Sequence, residues 1–171
     1  MTRTARLLAA AVLMAAAPAI AAGPSDAEIA HIAYTAGALD AAAAKQALAK
    51  TRNAEVRAFA EVMLRDHEAV NGKALALVER LKVTPADNAT SQALAKQAKE
   101  TEAKLAALDG PAFDRAYAAN EVAFHRTVNG ALKETLIPSA QNGELKALLE
   151  TGLSLFGEHQ AHAEHLAASL K

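Results

Sequence analysis

From Ile29 onward, apolar residues recur every three or four positions, the period of a helix that buries one face. The first such stripe is Ile29, Ala33, Ala36, Asp40, Ala43 and Ala47, and the second is Val56, Phe59, Met63, His67, Val70, Ala74, Leu77 and Leu81. A later stripe runs through Phe113, Tyr117, Phe124, Val128 and Ala131, and the last through Leu145, Leu149, Gly152, Phe156, Ala163, Leu166 and Leu170. Start and stop signals frame these segments. Ser25-Asp26-Ala27-Glu28 forms a capping box that opens a helix to about Lys50. Asn53 caps a second helix from Ala54 to about Lys82, ended by Val83-Thr84-Pro85. A shorter helix is expected from Thr90 to Leu108. Asp109-Gly110-Pro111 then marks a turn into a fourth helix, from about Ala112 to Leu136, which Ile137-Pro138 stops. Asn142-Gly143 opens a fifth, running to about Leu170. At ~1.5 Å per residue the four long helices each span ~37 to 42 Å, which suits side-by-side packing. The short third helix is then the crossover between two antiparallel pairs.

Composition supports an all-α reading. Of 171 residues, 52% are hydrophobic and only 4% aromatic, with alanine dominant, so the β-branched and aromatic runs that build sheets are nearly missing. With 18 basic and 19 acidic side chains, the net charge of -1 leaves no electrostatic footprint for nucleic acid and no polybasic membrane patch. The absence of cysteine removes thiol catalysis, zinc fingers, iron-sulfur clusters and disulfides.

The first segment reads as an address. Arg3 and Arg6 precede an apolar run from Leu7 to Ile20, and Ala19-Ile20-Ala21 places small residues where a signal peptidase cuts. Residues 1–21 are therefore expected to be a cleaved signal peptide and residues 22–171 the bundle domain. The apolar run is shorter than the roughly 20 residues that cross a bilayer, so no integral span is expected in the mature chain. Loss of Arg3 and Arg6 from the 18 basic residues leaves 16 against 19 acidic, a formal charge of -3. The expected destination is the periplasm.

The candidate chemistry lies where the apolar stripes are interrupted. Asp40, His67 and His159 fall inside the stripes of their helices, Glu121 lies about 45° from the centre of its stripe, and His125 about 85° from it. Counted from the intervening turns, all five stand within roughly one or two helical turns of one height. Burying an unpaired carboxylate or imidazolium costs several kcal/mol, so mutual hydrogen bonding or a shared metal ion is the economical arrangement. Taken singly, each residue has a plainer reading: His67 as a hydrogen-bonded core histidine, and Glu121 with His125 as an i,i+4 pair. Elsewhere, His162 with Glu158 marks a histidine-rich terminal helix, and His31 has no evident partner.

Several stretches resemble a bacterial family of ferritin-like, often exported helical proteins, the domain of unknown function DUF4142. They are Ala54 to Met63 leading into Asp66-His67, Phe113-Asp114-Arg115-Ala116-Tyr117 leading to His125, and Glu158-His159. The resemblance covers essentially the whole mature chain and implies a ferritin-like four-helix bundle with no established activity. An acidic residue commonly precedes the third-segment histidine in that family, whereas Phe124 does so here. A ferritin-like di-iron site takes Glu-x-x-His from two helices. Three residues before His67, His125 and His159 stand Leu64, Val122 and Phe156, so no di-iron centre is expected.

The sequence therefore points to an exported, non-enzymatic bundle holding one transition-metal ion, zinc, copper or iron, on His67, His159, Asp40 and Glu121, with His125 as a substitute ligand. Its role would be envelope metal handling or stress protection. The alternative is a structural or partner-binding bundle whose inward His, Asp and Glu form a metal-free polar layer that fixes helix register. An enzyme using His67 and a carboxylate as acid and base is disfavoured, because no nucleophile motif, oxyanion loop or phosphate cradle accompanies them.

Overall fold

Helix α1 (Asp26–Lys50) begins where the Ser25 hydroxyl accepts the Glu28 backbone N–H while the Glu28 carboxylate accepts the Ser25 N–H, the reciprocal cap that the sequence predicts. The Asn53 side chain accepts the N–H groups of Glu55 and Val56 to start α2 (Ala54–Leu81). That helix ends on Lys82 in the left-handed conformation, φ 54°, and the chain leaves toward Pro85. Asn88 caps α3 (Ala89–Ala106), and Asn142 caps α5 (Gly143–Ser169), each through two backbone N–H groups. The computed structural model describes residues 23–170. The expected leader, residues 1–21, lies outside them. Among the described residues the chain is all-α, with five helices and no strand.

Helix α4 differs from expectation at both ends. It starts at Gly110 rather than Ala112, with Pro111 in its first turn, where a missing N–H costs nothing. It also does not stop before Pro138. After Gly110–Ala131 the backbone widens into a π turn, Leu132–Leu136, and continues through Ile137–Ser139. Proline in a regular α-helix clashes with the carbonyl four residues back. Here the Ile137 N–H bonds Leu132, five residues back, and the wider turn accommodates Pro138.

Helices α1 and α2 pair through a short turn, as do α4 and α5; α2 packs on α5, and α1 on α4, closing a ring of four. The crossover helix α3 lies outside the ring, against α1 and the edge of α4. Two ties fix the ends. The Asp26 carboxylate accepts the N–H groups of Gln141 and Asn142, both at 2.8 Å, and the Thr51 hydroxyl donates to Asp114 at 2.6 Å. The core divides into two clusters. One gathers Val56, Phe59, Met63, Phe113, Tyr117 and Ala163, all fully buried. The other gathers Ile29, Leu77, Leu132, Leu136, Leu149 and Phe156. The inward polar residues sit between them.

Candidate metal centre

Each of the four ring helices delivers an ionisable side chain to this boundary: Asp40 from α1, His67 from α2, Glu121 and His125 from α4, and His159 from α5. All five are buried, none more than 3% exposed. Sequence periodicity put Glu121 at the core edge and His125 on the flank, and the structure corrects both. Helix α4 is turned so that Phe113, Tyr117, Glu121 and His125, four residues apart, form its inward ridge, while Phe124 is only half-buried. An assignment weighted toward hydrocarbon positions follows Phe124 and Val128 and so rotates the helix away from its polar centre.

The three imidazoles form a near-equilateral cluster, with ring centroids 5.7 Å apart for His67 and His125, 5.3 Å for His67 and His159, and 5.5 Å for His125 and His159. One nitrogen from each lies within 4.8 Å of the others, and the same holds for ligand atoms of Asp40, Glu121 and His125. His125 thus belongs to both triads. Asp40 Oδ2 lies 3.3 Å from His67 Nε2 and 3.5 Å from His125 Nε2, and Glu121 Oε2 lies 3.7 Å from His125 Nδ1.

Two of the rings are oriented from behind. His125 Nδ1 donates to the Glu121 carbonyl at 3.0 Å, which leaves its Nε2 lone pair facing Asp40. His159 Nε2 donates to Asp66 Oδ2 at 3.1 Å, and Asp66 is itself held by Arg65 Nε at 2.8 Å, leaving His159 Nδ1 free. An imidazole anchored by one N–H to a carbonyl or carboxylate, with the other nitrogen exposed to the site, is the usual posture of a metal-ligating histidine. The third ring, His67, is stacked by Phe156 at 4.7 Å and 15°. Asp66 and Phe156 carry these supporting roles, and the sequence reading assigned neither; Asp66 beside His67 in a matched stretch was the available signal.

Electrostatics follow from burial. It pushes the His67 imidazole down to about 3 and His125 to about 4, and lowers His159 despite the Asp66 carboxylate, so all three stay neutral near pH 7 and keep lone pairs to share. Burial raises Asp40 to about 7, against the opposing hydrogen bond from Glu121. Glu121 is raised well above its usual range, by burial first and then by Asp40. Two carboxyl groups in one dry site therefore share a proton or need a cation. Hydrogen bonds to Arg65 and His159 outweigh burial at Asp66 and keep it ionised.

Seven ligand-type atoms of this cluster are buried and, apart from the proton that the Asp40 and Glu121 carboxyls can share, have no hydrogen-bond partner: both oxygens of Asp40, both nitrogens of His67, Glu121 Oε2, His125 Nε2 and His159 Nδ1. The Tyr117 hydroxyl beside them is also unpartnered, and burial with the nearby Glu121 and Asp40 charges raises it. These buried clusters of His, Asp and Glu can hold a metal ion. A cavity of about 330 Å³ under α3, between α1 and α4, reaches Asp40 and Glu121 from outside the ring. The histidine-rich C-terminal segment does not join the site: His162 is exposed and meets the edge of Phe59. His31 finds Asp87 at 3.9 Å.

A family model described as "Domain of unknown function (DUF4142)" matches residues 10–166. No curated protein and no solved structure matches the chain.

Proposed function

This chain belongs to the DUF4142 family, a membership that carries no assigned activity, and we propose that it is an exported, non-enzymatic, ferritin-like bundle that holds one transition-metal ion, in envelope metal handling or stress protection. One observation carries the reading: seven buried ligand atoms of Asp40, His67, Glu121, His125 and His159 whose only partner is the proton that the two carboxyls can share. A polar layer that only set helix register would stabilise the core when its members satisfy one another, and a half-satisfied network is worse than hydrocarbon. Three neutral imidazoles with one or two carboxylates make a mixed donor set that suits zinc, copper(II) or iron(II). His67, His125, His159 and Asp40 would hold the ion, with Glu121 as a further oxygen donor. Bound cation would also neutralise the carboxyl pair.

Export is supported by Arg3, Arg6, the apolar run from Leu7 to Ile20 and the small residues around Ala21. Among the described residues no helix is long and apolar enough to cross a membrane. Mass analysis of the protein recovered from periplasm should show a chain beginning at Ala22.

The metal reading is tested on that untagged protein by elemental analysis and by melting before and after a chelator. Near-stoichiometric metal that raises the melting temperature is expected. His67→Ala should lower the metal content while the bundle still melts cooperatively. No retained metal, together with no thermal shift on adding zinc, copper or iron, would favour the metal-free polar layer and a protein partner instead.

A further inference from the structure

The half of the core on the π-turn side of the polar cluster is not filled. A cavity of about 330 Å³ runs through it between α1, α2, α4 and α5, walled by hydrocarbon from Ile32, Ala33, Ala74, Leu132, Leu149 and Phe156. In the opposite half Val56, Phe59, Met63, Phe113 and Tyr117 pack with zero exposure, and the second cavity touches that cluster only at its edge, through Leu105 and Ala43. Two sequence features make the space. Beside Ile32 the α1 wall is alanine, Ala30, Ala33 and Ala36, where a bundle of leucines would close the gap. The π turn of α4 also lines it through Leu132 and Leu136, and widened turns of this kind recur at functional sites.

The inner end of the cavity is different in kind. His67 and His125 line it, both buried, and His67 has two unpartnered nitrogens and His125 one. A long apolar chamber ending on unpartnered hydrogen-bonding atoms is the form of a small-molecule site, in which hydrocarbon supplies affinity and a few polar groups set orientation.

We infer that this chamber binds a small amphiphile, an alcohol or phenol with a single apolar chain or ring, whose hydroxyl donates to His125 Nε2 and accepts the N–H of His67 while its hydrocarbon fills the space toward the π turn. The head group follows from the neighbours. Asp40 Oδ2 lies 3.3 Å from His67 Nε2 and 3.5 Å from His125 Nε2, so a carboxylate head would face another carboxyl group with no proton to offer, whereas a neutral hydroxyl has one to donate. Size follows from volume. An apolar cavity of about 150 Å³ stays dry and admits benzene, so this one admits roughly a dozen heavy atoms. The ion proposed above and the hydroxyl head would take the same imidazole nitrogens, so the chamber binds its amphiphile in the metal-free protein, and the hydrocarbon walls are present either way.

The test uses chelator-treated full-length mature protein titrated by calorimetry with 1-octanol and, separately, with octanoate. Saturable 1:1 binding of 1-octanol, at least tenfold tighter than octanoate, is expected. Two variants fill the chamber from two neighbouring helices, Ala33→Phe on α1 and Ala74→Phe on α2. Each should weaken 1-octanol binding at least tenfold while keeping a cooperative melt and the metal uptake of the parent, and either one suffices if the other fails to fold. Absence of saturable 1-octanol binding, equal binding of octanoate, or binding unchanged in a folded filled variant would overturn the inference. Metal content measured on the same preparations reports on the proposed ion site separately.

Discussion

Replacing Asp40 with asparagine should make the metal-free protein more stable at alkaline pH while weakening its response to metal. Burial at 2% exposure raises the Asp40 carboxyl from 3.8 to about 7, so the folded state holds a proton that the unfolded chain releases. The sign follows from linkage: a carboxyl raised on folding is penalised as pH climbs from its unfolded value, and the penalty is complete above the folded one. At about 1.4 kcal/mol per unit, the shift corresponds to roughly 4 kcal/mol above pH 8. Asparagine does not titrate, but its buried amide returns part of that, leaving a net gain of about 2 kcal/mol. For a domain of this size that is a rise in melting temperature of about 4 to 8 °C at pH 8. At pH 5, about 1.2 units above the unfolded value of 3.8, the penalty is only about 1.7 kcal/mol, which the cost of the buried amide offsets, so the two proteins should melt within a few degrees of each other. The assay is thermal denaturation of chelator-treated Asp40→Asn and parent from pH 5 to 8.5, repeated with added zinc, which should raise the parent more than the variant. Equal melting temperatures at pH 8, or a gap that does not change with pH, would refute the claim that Asp40 is a strained, dry carboxylate.

Asp66→Asn removes the carboxylate that orients His159 and should weaken zinc binding by about 10- to 100-fold in competition with a chelating dye, with little change in the melt of the metal-free protein. Thr51→Val deletes the donor to buried Asp114 and leaves that carboxylate short of a partner, so urea unfolding should show a loss of about 2 kcal/mol, with metal uptake unaffected.

Much of the architecture was written in local signals. The Ser25–Glu28 box and the asparagines at positions 53 and 142 cap helices where they were expected, and the inward stripe of α5 holds from Leu145 to Leu166. Pro138 misled because its effect on a helix depends on the hydrogen-bond register around it, and a π turn is a departure from the period that sequence analysis assumes. On α1 the expected stripe took in the half-buried Ala33 and Ala43 along with buried Ala36 and Ala47, and left out the buried Ala30, Ala41 and Ala44, since an alanine-rich helix offers no contrast between its faces. The polar cluster was legible because Asp40, His67 and His159 break otherwise apolar stripes. The centrality of His125 was not, because the rotation of α4 is set by packing of Phe113 and Tyr117 against the neighbouring helices. Partners reached across the bundle, such as Asp66 for His159 or Thr51 for Asp114, depend on which helices adjoin, which no single helix encodes.

Crystals of the mature protein grown with zinc, measured on both sides of the zinc absorption edge, test the central claim most directly. The account predicts one strong anomalous peak enclosed by the ring helices, at about 2.0 to 2.1 Å from nitrogens of His67, His125 and His159, with Asp40 supplying oxygen. An empty site beside fully ordered side chains, or zinc found only at the exposed Glu158 and His162 end, would contradict it.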